Sequence, residues 1–186
     1  MNRKPKSNDD AGEGQPAARQ PVRLLDSIDG PQDLHGLSEQ ELATVAQEVR
    51  KHIIDTVGEI GGHFGANLGT CELAVALHSV LESPKDKILW DVGHQAYPHK
   101  ILTGRRDSLA TIRQYGGIAP FCSREESEHD IMGAGHASTS IGYAVGLKEG
   151  MRHLGGEADG KVVSCDCAAS SRARSIPNSL TYVRLP

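Results

Sequence analysis

Histidine and glycine recur together at three places in this chain, and this pairing is the arrangement most able to do chemistry. The stretches are Gly61-Gly62-His63-Phe64-Gly65, Asp91-Val92-Gly93-His94-Gln95 and Gly133-Ala134-Gly135-His136-Ala137-Ser138. An imidazole titrates near neutral pH, so it can give or take a proton there. Glycine lets the backbone approach a ligand closely. The middle stretch is the most telling. Ile88-Leu89-Trp90 reads as a buried strand that ends abruptly in titratable residues. In open α/β sheets that carboxyl edge is where ligands bind. Three such loops point to a polyphosphate or cofactor site.

Each feature also has a plainer reading. His63, between glycines at a helix end, is either a proton-transfer group or a structural cap. Gly133-x-Gly135-x-x-Ser138 opens a helix like a dinucleotide fingerprint but lacks the third glycine. The amides at that helix start favour an anion; a tight turn packed under a neighbour is the alternative. His94 and His99 find no third metal ligand at a convincing spacing. Cys165-x-Cys167 lacks the second pair that a zinc site needs, so no residue is assigned to a metal. The charges between Glu125 and Asp130 read as a solvated loop, and Arg105-Arg106 as a helix-end pair facing water, with a phosphate contact as the alternative.

The elements that must position these groups follow from periodicity. Ser38-Glu39-Gln40-Glu41 is a capping box with Leu37 and Leu42 as its hydrophobic staple. Leu42, Val45, Val49, Ile53, Val57 and Ile60 recur at helical spacing, and Gly61-Gly62 ends that helix. Thr70 caps a second helix over 71–82, apolar nearly all round and therefore buried. Ser108 starts a short helix to about Tyr115. The loop at His136 opens a helix through about Leu154, with Ile141, Ala144, Val145, Leu147 and Met151 inward. Lys161-Val162-Val163 begins another strand. Residues 1–22 hold almost nothing to bury and are expected to form a disordered leader. Residues 23–163 form the ordered part. Residues 164–186 lose all periodicity and are expected to be an aberrant, disordered tail.

Composition narrows the function classes. The chain has 186 residues, enough for one domain with a core, and aromatic residues are only 4%, so that core must be aliphatic. A net charge of -4 argues against a nucleic-acid surface, which needs a concentrated basic face. No apolar run is long enough to span a bilayer. The four cysteines show no regular framework and no secretory signal precedes them, which fits reduced thiols in a cytoplasm.

Together these loops resemble 1-deoxy-D-xylulose-5-phosphate synthase, a thiamine-diphosphate enzyme family of the transketolase type. The resemblance is carried by Gly62-His63-Phe64-Gly65-Ala66-Asn67-Leu68-Gly69-Thr70, by ILWDVGHQAYPHKILTGRRD over residues 88–107, by Thr111-Ile112-Arg113-Gln114 and by Gly135-His136-Ala137-Ser138-Thr139-Ser140. It covers about residues 22–163. It implies an α/β fold: the front part of a parallel-sheet, thiamine-diphosphate-binding domain. It implies condensation of pyruvate with glyceraldehyde 3-phosphate with loss of carbon dioxide, with thiamine diphosphate and Mg2+ as cofactors and a homodimeric assembly. By the same resemblance His63 is the catalytic proton shuttle, and His94, Gly135, His136 and Ala137 contact the cofactor. Ser is common in the family where Ala137 stands; a backbone contact survives that change. After Val163 the family has Gly-Asp-Gly-Ala, whose Asp binds magnesium with a later Asn. Here Cys165-Asp166-Cys167-Ala168 stands in its place, with Asp166 at the aspartate's position, and the sequence ends before the position of that asparagine. That loss of pattern suggests a frameshifted or truncated product. An inactive remnant, or a phosphate-binding module without catalysis, is the competing expectation.

Overall fold

The structure, a computed structural model, describes residues 23–133, 135–155 and 160–165 and the backbone of Leu180–Tyr182. The first long element, α1 (Glu39–Ile60), begins where the capping box places it. The Ser38 N–H donates to the Glu41 carboxylate at 2.8 Å, and the Glu41 N–H to Ser38 Oγ at 3.3 Å. Gly61, at φ +76°, ends the helix, a conformation that any Cβ would strain. Val45, Val49, Ile53 and Val57 turn inward as the spacing predicts, whereas Ile60, the last helical residue, stays 39% exposed.

The short helix α2 (Phe64–Leu68) follows, and then α3 (Cys71–Val80). Burial of α3 is one-sided: Cys71, Ala74, Val75, Leu77 and His78 are inside, and Val80 is exposed. Thr70 does not cap it with its side chain. Its hydroxyl donates to the Gln95 carbonyl at 2.9 Å instead, tying the start of α3 to the turn that carries His94.

Strand β1 (Lys87–Trp90) pairs in parallel with β2 (Val162–Cys165), from Lys87 opposite Val162 to Trp90 opposite Cys165. Parallel neighbours need a long crossover, and α5 (Ser140–Leu154) lies within it. The strands' two-residue alternation divides the core. Ile88, Trp90, Val163 and Cys165 face the cluster built on α1 and α3. Leu89 and Val162 face Met132, Ala144 and Met151 on the α5 side. A sheet buried on both faces explains the unbroken apolar run of β1. On α5, Ala144 and Met151 are buried, but Ile141 and Val145, expected inward, are 38% and 41% exposed.

Three expectations shift. The strand expected to start at Lys161 runs through Ser164 and Cys165, across the boundary placed after Val163. Leu180–Tyr182 forms β3, antiparallel to β2, where the sequence shows no periodic signal. The helix expected from Ser108 is only a single 3-10 turn, Leu109–Thr111. The expected disorder of 1–22, and of the tail at 166–179 and 183–186, concerns residues outside those described. Among the described residues no helix is long and apolar enough to cross a membrane.

The inward face of α1 yields a direct check. Ile53 is fully buried and its neighbour Ile54 is 44% exposed. Ile53→Ala should lower stability by roughly 2–5 kcal/mol, and Ile54→Ala by about 0.5 kcal/mol. Urea unfolding of both variants tests this; equal losses would mean that the helix buries another face.

Candidate functional site

The site is assembled where β1 stops. Asp91 follows Trp90 and is fully buried. Val92 adopts φ +63°, and the Gly93 N–H donates to the Asp91 carbonyl at 2.7 Å, closing a three-residue turn. A β-branched residue at positive φ is strained, and such strain collects at functional sites. The turn reverses the chain within reach of the next segment. A Cβ on Gly93 would sit 3.2 Å from the Cys122 nitrogen, so that approach favours glycine.

Asp91 also settles what the amides at the start of α5 bind. Its carboxylate accepts the N–H groups of Ser138 (2.8 Å), Thr139 (3.1 Å) and Ser140 (3.2 Å). The anion at this helix N-terminus is therefore the protein's own, fixed across the crossover and favoured by the helix dipole. The expectation that these amides face a ligand phosphate gives way to a cap supplied from β1. Gly135, His136 and Ala137 lie exposed on the loop just before it.

His63 and His94 meet at this edge. Their rings are 5.4 Å apart in an edge-on arrangement. One side chain unites the two turns: Asn67, fully buried on α2. Its Nδ2 donates to the carbonyl of His63 and, at 2.8 Å, to that of His94; its Oδ1 accepts the Tyr97 N–H at 2.7 Å. The buried Tyr97, opening α4 (Tyr97–Lys100), places its hydroxyl 3.4 Å from both the backbone nitrogen and Nδ1 of His63. The Phe121 ring lies 5.5 Å from the His63 ring and walls the other side. Burial lowers the affinity of both imidazoles for a proton. For His63 the Arg113 charge adds to this; for His94 the neighbouring His63 adds to it while Asp91 opposes. Both shifts favour the neutral imidazole, which can accept or donate a proton.

Asn67, Tyr97 and Phe121 carry no signal in their types alone. A polar residue inside the short apolar run 64–68 is the one clue to Asn67. The larger correction concerns the charges. Arg105 is buried rather than facing water, and Asp130 is 2% exposed rather than solvated. Arg105 donates to both Asp130 oxygens at 2.7 Å, and His99 Nε2 lies 2.9 Å from the same carboxylate. Arg106 donates to the carbonyls of Leu25 and Ile28. His99 Nδ1 in turn lies 2.9 Å from Nε2 of the buried His78.

His99, Cys122 and Asp130 are close enough to suggest a metal, but their donors are spent. Both His99 nitrogens and both Asp130 oxygens have protein partners, and burial pushes the Cys122 thiol up to about 12. The ion pair here is Arg105–Asp130, and His99 and His78 are hydrogen-bonded to it in line.

A parallel β-α-β unit with two histidines at the strand's carboxyl edge is an α/β domain of the type that takes its ligand there. The family model described as 1-deoxy-D-xylulose-5-phosphate synthase matches residues 25–171, and the chain belongs to that family. The match runs past Val163. Curated relatives of that name are similar to it: one from Neisseria meningitidis, 54% identical over 73% of this chain and 21% of its own length, and one from Thermomicrobium roseum, 62% identical over 66% and 20%. A third, from Cupriavidus metallidurans, is 48% identical over 88% of this chain and 26% of its own. The chain thus spans a fifth to a quarter of these relatives.

Two measurements follow. Asp91→Ala strips three amides of their acceptor and should cost about 2 kcal/mol or more, with faster amide exchange confined first to residues 138–143. Exchange that quickens elsewhere first would contradict the cap. The second concerns pH. Burial holds His78 well below the ordinary imidazole value, with His99, His129 and His35 adding to the effect; burial also lowers His99, against the pull of Asp130. Groups that bind protons less readily when folded contribute stability above their unfolded value, near 6.5, and it is lost as pH falls below that. Stability should therefore fall from pH 7 to pH 5, and His78→Gln should flatten the fall; an unchanged slope would show that the pair does not titrate on unfolding.

Proposed function

We propose that this chain is the front of the cofactor-binding domain of a 1-deoxy-D-xylulose-5-phosphate synthase. The whole enzyme joins pyruvate to glyceraldehyde 3-phosphate with loss of carbon dioxide, in the cytoplasm. The observation that carries this reading is the seating of His63 and His94 side by side at the edge of β1, clamped by Asn67, within the stretch that matches the family.

The residues present fit thiamine diphosphate in part. Two neutral imidazoles beside an aromatic wall suit a heteroaromatic ring and the proton movements around it. When bound, the cofactor supplies the electron sink for cleaving the bond beside a keto carbonyl. His94 would hold the cofactor at the strand edge. Gly135, His136 and Ala137 would approach it with backbone groups, which tolerate alanine where serine is common. His63 Nδ1 faces the Tyr97 hydroxyl, which leaves Nε2 to hold or pass a proton to bound substrate. Magnesium fits less well. Asp91, the carboxylate at this edge, is committed to the α5 amides, and Asp166 lies outside the described residues. No step is assigned to a metal.

Residues 25–165 exchanged into a full-length relative test this reading. The chimaera should bind thiamine diphosphate and turn over. His63→Ala should lower kcat with little change in cofactor affinity. His94→Ala should weaken the cofactor roughly ten- to a hundredfold, the worth of one charge-assisted hydrogen bond. If both variants lose only thermal stability and keep kcat and cofactor Kd, the histidines are packing residues and the reading is wrong.

A further inference from the structure

The segment 119–130 is held by an ion network that the proposed chemistry does not use. Glu126 accepts the Ala119 N–H, Lys100 Nζ at 2.5 Å and Arg105 Nη1 at 3.2 Å. Asp130 accepts the Ser123 N–H at 2.7 Å, both terminal nitrogens of Arg105 and His99 Nε2. Two carboxylates meet two cations, and the Lys100 and Asp130 side chains are wholly buried. Buried ion pairs add little net stability over apolar packing, yet breaking one is costly. Such a network fixes geometry more than it adds stability. Lys100 ends α4, and Arg105 closes the wide turn Ile101–Arg105 that follows it. The network therefore straps 119–130 to the element that begins with Tyr97.

That segment touches both histidine turns. Phe121 packs on His63, and the Cys122 nitrogen approaches Gly93, the residue before His94. We infer that Glu126 and Asp130 are positioning residues: through Lys100, Arg105 and His99 they seat Phe121 against His63 and so form one wall of the site. The inference deepens the proposed function, since it takes His63 as a site residue, but the wall itself needs no cofactor. Burial, the leading cause of the lowered proton affinity of His63, accords with such a wall.

The test uses the 186-residue chain, isotopically labelled, with no ligand. In the unmodified protein the Phe121 and His63 ring protons should show a mutual NOE. Phe121→Leu, which removes the ring, gives the reference position of the His63 ring resonances. Asp130→Asn and Glu126→Gln should move those resonances to the reference position and abolish the NOE, while the amides of α1 and α3 keep their shifts. Glu126, 19% exposed in its side chain, is the milder site and guards against loss of fold. His63 resonances that stay put in the folded Asp130 and Glu126 variants would overturn the inference. So would absence of the NOE in the unmodified chain, or a collapsed amide spectrum for Glu126→Gln, which would make the network a folding element. Failure of thiamine diphosphate to bind the chimaera would leave these results standing and would count against the proposed function alone.

Discussion

The carboxamide of Asn67 is the contact on which the site depends. It sits on a helix of only five residues, too short to be stable by itself. From there it satisfies two carbonyls and one amide that belong to separate turns. Each of those groups, left buried and unpaired, costs on the order of 1–3 kcal/mol. No other side-chain type offers two donors and an acceptor in so small a volume. The His63 turn, the His94 turn and the start of α4 are thereby held as one body, and Thr70 adds a parallel tie to Gln95.

Around this clamp the charges turn inward, contrary to the general rule for Lys, Arg and Asp. Burial raises the Asp130 carboxyl, but hydrogen bonds from Arg105 and His99 outweigh it and hold the group ionised far below its usual range. The same pairing keeps Arg105 charged against its own burial. Desolvation is thus offset within the network. Asp91 solves the same problem differently, by exchanging solvent for three backbone amides at a helix start. Asp130 is thereby held against His99 and Asp91 close to His94, and neither carboxylate is exposed to water.

How much of this is legible in the sequence depends on the range of the interaction. The start of α1 is written locally, in Ser38 and Glu41, and its inward face in a period that needs no partner. The strand ending at Trp90 and the histidines after it are legible because burial and titratability are properties of residue types. Asn67, Arg105 and Asp130 are not: their roles are set by partners 25 to 30 residues away, and a charge reads as solvated until its counter-ion is located. Thr70 looks like a cap because Thr favours caps, but a buried carbonyl competes for its hydroxyl and wins. Strand β3 has no alternation to announce it; its backbone pairing with β2 is a tertiary fact.

Two distant turns form one site because Asn67 holds them. An NOE between the ring protons of His63 and His94, read in the unmodified chain and in Asn67→Leu, tests it most directly. A cross-peak is expected in the unmodified chain, where the ring centroids are 5.4 Å apart, and should be lost in Asn67→Leu while the α1 and α3 amides keep their shifts. A cross-peak that persists in the folded variant, or is missing from the unmodified chain, would contradict it.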